Sequence, residues 1–147
     1  QQQAIDLAPE VHAPWGRLGD AYRFIPGAGE QARAAYRKAI DLARQDYAIN
    51  SSSWIHAVRL AMYYAHTEDG AQARRFLDRT IDLTSDGTAY YFAAVAAISL
   101  GDRDAALDYI QKSAAGGFSK QLILNDPDFS VLHGDSRFDS AVIGAGH

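Results

Sequence analysis

At 147 residues, with 48% in the hydrophobic class and 22% charged, the chain is long enough for one domain with its own core and too apolar for disorder. Its net charge of -4 and the lack of a basic stripe argue against nucleic acid as a partner, and the lack of cysteine removes disulfide frameworks and thiolate chemistry. The longest apolar run, Ala89 to Leu100, is too short to cross a bilayer and reads as a buried helix, so no membrane insertion by this segment is expected.

In chain order, residues 1–8 read as the tail of a helix stopped by Ala8-Pro9, because the residue before a proline is pushed out of the α region. No basic n-region precedes them, and the expectation is a piece cut from something longer. From His12 to about Ile25, Trp15, Leu18, Gly19 and Tyr22 form a stripe at the helical period. Pro26-Gly27-Ala28-Gly29 breaks it. A long helix follows from Glu30 to about Ala48, with Ala32, Tyr36, Ala39, Ile40, Ala43 and Tyr47 on one face. Ser51-Ser52-Ser53 can supply an N-cap for a helix to about His66, with Ala57, Leu60, Ala61 and Tyr64 inward. Glu68-Asp69-Gly70 turns the chain into a helix carrying Ala73, Leu77, Thr80 and Ile81. Ser85 to Thr88 separates it from the apolar helix, and Gly101-Asp102 leads to another that ends at Gly116-Gly117, where glycine supplies a left-handed cap. Beyond Phe118 the period is lost. Ser119 to Leu124 predicts a short helix, Asp126-Pro127 a capped turn through Phe129 and Leu132, and Asp135 a last turn with Phe138 and Val142. No segment alternates as a strand would, so the chain is expected to be all-α.

One pattern is written more than once. Gly29-Glu30-Gln31-Ala32-Arg33-Ala34-Ala35-Tyr36-Arg37-Lys38-Ala39-Ile40-Asp41-Leu42 is echoed by Gln72 to Leu83, more loosely by Gly101 to Ser113 and, in its last four residues, by Ala4-Ile5-Asp6-Leu7. Together with Trp15-x-x-Leu18-Gly19-x-x-Tyr22, Leu60-Ala61-x-x-Tyr64 and Tyr90, Ala93-Ala94, Gly101, this resembles the tetratricopeptide repeat, over roughly residues 1–117. The family period is about 34 residues. The interval Ala39 to Thr80 exceeds it by about two helical turns, which lengthens a helix without rotating its face. The resemblance implies a right-handed α-solenoid of helix-turn-helix repeats: 1–8 the tail of a truncated repeat, 9–117 about three repeats, and 118–147 a C-terminal lid that covers the last apolar face. The ending, Gly117-Phe118 through Asn125-Asp126-Pro127-Asp128-Phe129 to Arg137-Phe138, resembles that of repeat regions in bacterial signalling proteins such as serine/threonine kinases, adenylate cyclases and winged-helix regulators. That would place the chain in the bacterial cytoplasm or on the outer side of a membrane-anchored parent.

Motifs for chemistry are sparse. Gly27-Ala28-Gly29-Glu30-Gln31-Ala32 has the letters of a dinucleotide fingerprint but follows a helix where the motif needs a strand. Asp126-Pro127-Asp128 begins like a calcium loop, yet Val131 and Arg137 stand where glycine and glutamate are required. His12, His56, His66, His133 and His147 form no zinc-spaced pair. No nucleophile elbow or P-loop lysine occurs. No catalytic residue, metal or cofactor is therefore expected, and the chain is read as not an enzyme.

By the family's geometry Arg23, Arg59, Met62, Tyr63, His66, Tyr91, Phe92 and Val95 lie on the concave face, where arginine, methionine and aromatic side chains suit a peptide groove. The alternative is that they contact a neighbouring helix or an absent upstream repeat. The lysine and asparagine with which some family members grip chaperone C-termini are replaced by Gly16 and Asp20. The function expected is a non-catalytic protein- or peptide-binding scaffold. The second expectation is an assembly module that forms a homo-oligomer through its open N-terminal edge.

Overall fold

The computed structural model describes residues 12–67 and 69–143, and all regular structure among them is helical. In chain order it comprises α1 (His12–Arg23), α2 (Gly29–Ile49), α3 (Trp54–His66), α4 (Gly70–Leu83), α5 (Gly87–Ser99), α6 (Arg103–Ala115), α7 (Lys120–Asn125), a 3-10 helix (Pro127–Leu132) and α8 (Ser136–Ile143). The all-α expectation holds. The helix tail expected in residues 1–8 lies outside the described residues.

Local chemistry sets most boundaries. Asp69, Asp86, Asp102 and Ser119 stand at the N-caps of α4 to α7, and each side chain accepts a backbone N–H of the first turn, from Gln72, Thr88, Ala105 and Leu122. Asp126 does the same for Asp128 ahead of Pro127, which sits at the start of the 3-10 helix. The serine cap differs from expectation. Ser53 occupies the N-cap of α3 without a side-chain bond, and Ser52 Oγ turns back to Asn50 Oδ1 at 2.9 Å. Gly117 closes α6 at φ +92, which lets Phe118 N–H reach the Ser113 carbonyl at 3.1 Å.

Consecutive helices pack in pairs, α1 on α2, α3 on α4 and α5 on α6, and α3 also lies against α5. Alanine makes these approaches short: Ala32, Ala73 and Ala106 are all buried, as are Ala39, Ala57, Ala61, Ala93 and Ala96. Rings and branched chains then fill the remaining gaps, as close packing requires. Tyr36, Leu60, Tyr64, Phe76 and Leu77 form one core, with Tyr64 stacked on Phe76 at 5.8 Å. A second core joins Val95, Leu107 and Ile110 to Ile123, Phe129, Leu132, Phe138 and Val142, so α7, the 3-10 helix and α8 cover one face of the α5–α6 pair. Helix α5 is apolar on all sides because α3, α4, α6 and the 3-10 helix surround it.

Crossings at Gly16, Gly19 and Gly87 leave little or no room for a side chain. A Cβ on Gly87 would stand 3.0 Å from the Ser113 carbonyl oxygen, and Ser113 Oγ donates to the Gly87 carbonyl at 2.8 Å. A Cβ on Gly19 would stand 2.7 Å from the Tyr36 ring, which is itself buried. At Gly29 the nearest atom would be the end of Arg33, at 3.7 Å. Gly19→Ala should therefore cost about 1–3 kcal/mol by overpacking, while Gly29→Ala stays within about 0.5 kcal/mol. Denaturant midpoints check this, and equal midpoints for the two variants would contradict the ring-on-backbone contact.

Candidate functional site

Helices α1 and α3 are held apart by rings that reach from one to the other. Tyr63 comes from α3 against Gly16 and shares a hydrogen bond of 3.0 Å between its hydroxyl and His12 Nδ1. Beside it, His66 stacks on Tyr36 at 5.0 Å and shares a 3.0 Å hydrogen bond through Nδ1 with Ser99 of α5. Above these rings lies a cleft, lined by Ala13, Gly16, Arg17, Asp20, Arg59, Met62, Tyr63 and His66, that encloses about 60 Å³. That is room for a water or two, well below the few hundred Å³ that a cofactor-sized ligand needs. Larger depressions, such as one of about 470 Å³ along Tyr47, Arg75, Phe76 and Arg79, are broad hollows away from this cleft.

The eight side chains expected on the concave face divide into three groups. Tyr63 and Val95 are buried, 5% and 4% exposed, and serve as core. Arg23, Tyr91 and His66 are tied up within the fold. Arg23 Nη1 donates to Asp128 Oδ1 at 2.8 Å, its guanidinium lies 4.4 Å from the Phe24 ring, and its other nitrogen reaches Asp20 at 4.0 Å. The Tyr91 hydroxyl donates to Asp126, while its ring stacks on Phe118 at 4.4 Å and meets Phe129 edge-on at 6.0 Å. The third group, Arg59, Met62 and Phe92, is half-buried; Arg59 and Met62 line the cleft, and Met62 also packs against both cores. The Arg59 guanidinium sits 5.1 Å from the Phe92 ring centroid and shares the cleft with the Asp20 carboxylate, on which its charge acts. Phe92 in turn meets Tyr91 at 5.2 Å.

One end of this surface is thus already filled by the chain's own lid, which the sequence pattern did not show. Asp126 caps the 3-10 helix with one oxygen and takes the Tyr91 hydroxyl on the other. The lid is not loosely placed. Ile123, Phe129, Leu132, Phe138 and Val142 are at most 1% exposed, and uncovering each costs on the order of 1.5–3 kcal/mol. The N-terminal edge from Gln1 to Leu7, on which the assembly expectation rests, lies outside the described residues.

Electrostatically the floor is a buried polar node. The Tyr36 hydroxyl donates to Asp20 Oδ1 at 2.5 Å; burial, then that hydrogen bond, pushes the phenol well above its usual range. Burial raises the Asp20 carboxyl, against the Tyr36 bond and the Arg23 charge. Burial raises the Tyr63 phenol to about 12. Burial also lowers His66 to about 4, with Arg23 acting the same way and Asp128 against it, so the imidazole is neutral at pH 7. His12 Nε2 lies 3.6 Å from the half-exposed Asp46 carboxylate, and no group of three metal-ligating side chains occurs among the described residues. No helix among them is long and apolar enough to cross a membrane. Comparison with family models, curated proteins and solved structures returned no match, so the site is read from its own geometry.

His66 makes stability depend on pH. Its folded value lies below the 6.5 of the unfolded chain, so the unfolded state takes up the proton first and stability falls as pH drops from 6.5 toward 4. The loss amounts to about 3 kcal/mol at full effect. Asp20, with a raised value, works in the opposite direction over its own range. His66→Gln should therefore flatten the stability profile between pH 6.5 and 4 relative to the native chain, as measured by urea unfolding at each pH. An unchanged slope would contradict the buried neutral imidazole.

Proposed function

We propose that the chain is a right-handed α-solenoid of about three tetratricopeptide-like repeats that acts as a non-catalytic peptide- or protein-binding module within a larger bacterial signalling protein. Three features support the repeat reading: the sequence pattern, the pairing of consecutive helices and the contact between α3 and α5. The observation that carries the binding reading is the open side of the cleft. There Arg59, Met62 and Phe92 bring a fork-shaped cation, an adaptable thioether and a rigid ring together on one partly dry surface. Such a surface suits an extended segment or a helix laid along a largely preformed groove. Its helices are fixed by two cores, so little ordering cost falls on the module when a ligand docks.

Selection of a phage-displayed random dodecapeptide library on the full 147-residue chain tests this. Recovered peptides should bind the Met62→Ala/Phe92→Ala variant roughly tenfold more weakly or worse, a loss typical of truncating a contact hot spot. They should bind Arg37→Ala, altered at an exposed position of α2, as tightly as the native chain. Circular dichroism confirms that each variant is folded, and Phe92→Leu provides a second probe of the same ring. Peptides that ignore both groove variants would contradict the reading.

A further inference from the structure

The lid displays what this surface accepts. Two carboxylates two residues apart, Asp126 and Asp128, are taken by the Tyr91 hydroxyl and the Arg23 guanidinium, and the ring that follows them, Phe129, sits edge-on to Tyr91. Acid followed by an apolar ring is thus the chemistry already seated at the closed end. Arg59 offers the next place along. Its charge lies over the Phe92 ring at 5.1 Å, partly out of water, and acts on the Asp20 carboxylate across the cleft without forming a direct ion pair with it. A guanidinium in that position gains most from a bidentate carboxylate, because the pair forms in a poorly screened setting and the fork is already oriented by the ring. The opposing charge nearby is Asp20, and it is engaged by the Tyr36 hydroxyl at 2.5 Å and by Arg23 at 4.0 Å. Arg17 lies on the same rim.

We infer that the open part of the cleft takes an acidic peptide, one aspartate or glutamate pairing with Arg59 while an adjacent apolar side chain lies on Met62 and Phe92. This rests on the groove reading above and adds the class of partner. The ligand docks beside the lid and does not replace it, because the lid's apolar side chains are sealed in the second core.

The same dodecapeptide selection, carried out on the native chain and on Arg59→Gln, decides it. Peptides from the native chain should be enriched in Asp and Glu roughly twofold or more over the unselected library, next to aromatic or aliphatic residues. Their affinity should fall about tenfold for Arg59→Gln, the scale of one charge-assisted contact, recover in part for Arg59→Lys, and weaken as salt is raised. Selection on Arg59→Gln should lose the acidic bias. Peptides without acidic enrichment, basic peptides, no binders at all, or equal affinity for the native chain and Arg59→Gln would each overturn the inference. Neutral peptides that still weaken with Met62→Ala/Phe92→Ala would overturn the acidic partner and leave the groove reading standing. Peptides indifferent to all these variants would remove both.

Discussion

The carboxylate of Asp128 reaches the guanidinium of Arg23, 105 residues earlier in the chain, and closes the cleft at one end. The remaining features of the surface depend on that closure. It places Asp126 on Tyr91, brings Phe118 and Phe129 over the same ring, and leaves Arg59, Met62 and Phe92 half-buried beyond the lid. Both partners are partly buried, with side chains 25% and 16% exposed. The pair is therefore less screened than a surface ion pair, and removing one member strands the other in a poorly solvated place.

The floor beneath follows from the same economy of space. Gly16 and Gly19 let Tyr63 and Tyr36 press against the α1 backbone, and His66 fills the gap between Tyr36 and α5. Those rings carry polar atoms, so the core of the cleft is a polar node in which Tyr36 and the Arg23 guanidinium meet the Asp20 carboxylate beside Tyr63 and His66. Polar networks of that kind rigidify the packing around them to the extent that their members are satisfied.

The helices were legible in the sequence because their cues are local. The apolar period marked the inward faces, and the turns at Asp69, Asp86 and Asp102 and the cap at Asp126 marked the helix breaks, although the capping bonds of the first three emerged only in the structure. Helix α1 stops at Arg23, two residues before the expected Ile25, and Phe24 and Ile25 are left 59% and 53% exposed. Pro26 bars Ile25 from the α region, so the stripe could not continue. The use of each side chain expected on the concave face was not legible. A 3.6-residue period states which face a residue occupies and says nothing of what covers that face. The meeting of Arg23 with Asp128 and of Tyr91 with Asp126 depends on where the lid returns, and the lid has no period of its own. The one available signal was chemical, two aspartates beside a phenylalanine in a tail facing a surface rich in arginine and tyrosine. The cap role of Asp126 accounted for that residue without revealing its second bond.

The most direct test of the closed cleft is a double-mutant cycle between Arg23 and Asp128. Arg23→Ala, Asp128→Ala and the double variant would be unfolded in urea at pH 7. A coupling energy of about 1–2 kcal/mol is predicted for a partly buried, directly bonded pair. A coupling near zero would mean that the lid does not engage α1 in solution, and the division of the surface into a closed end and an open end would fall.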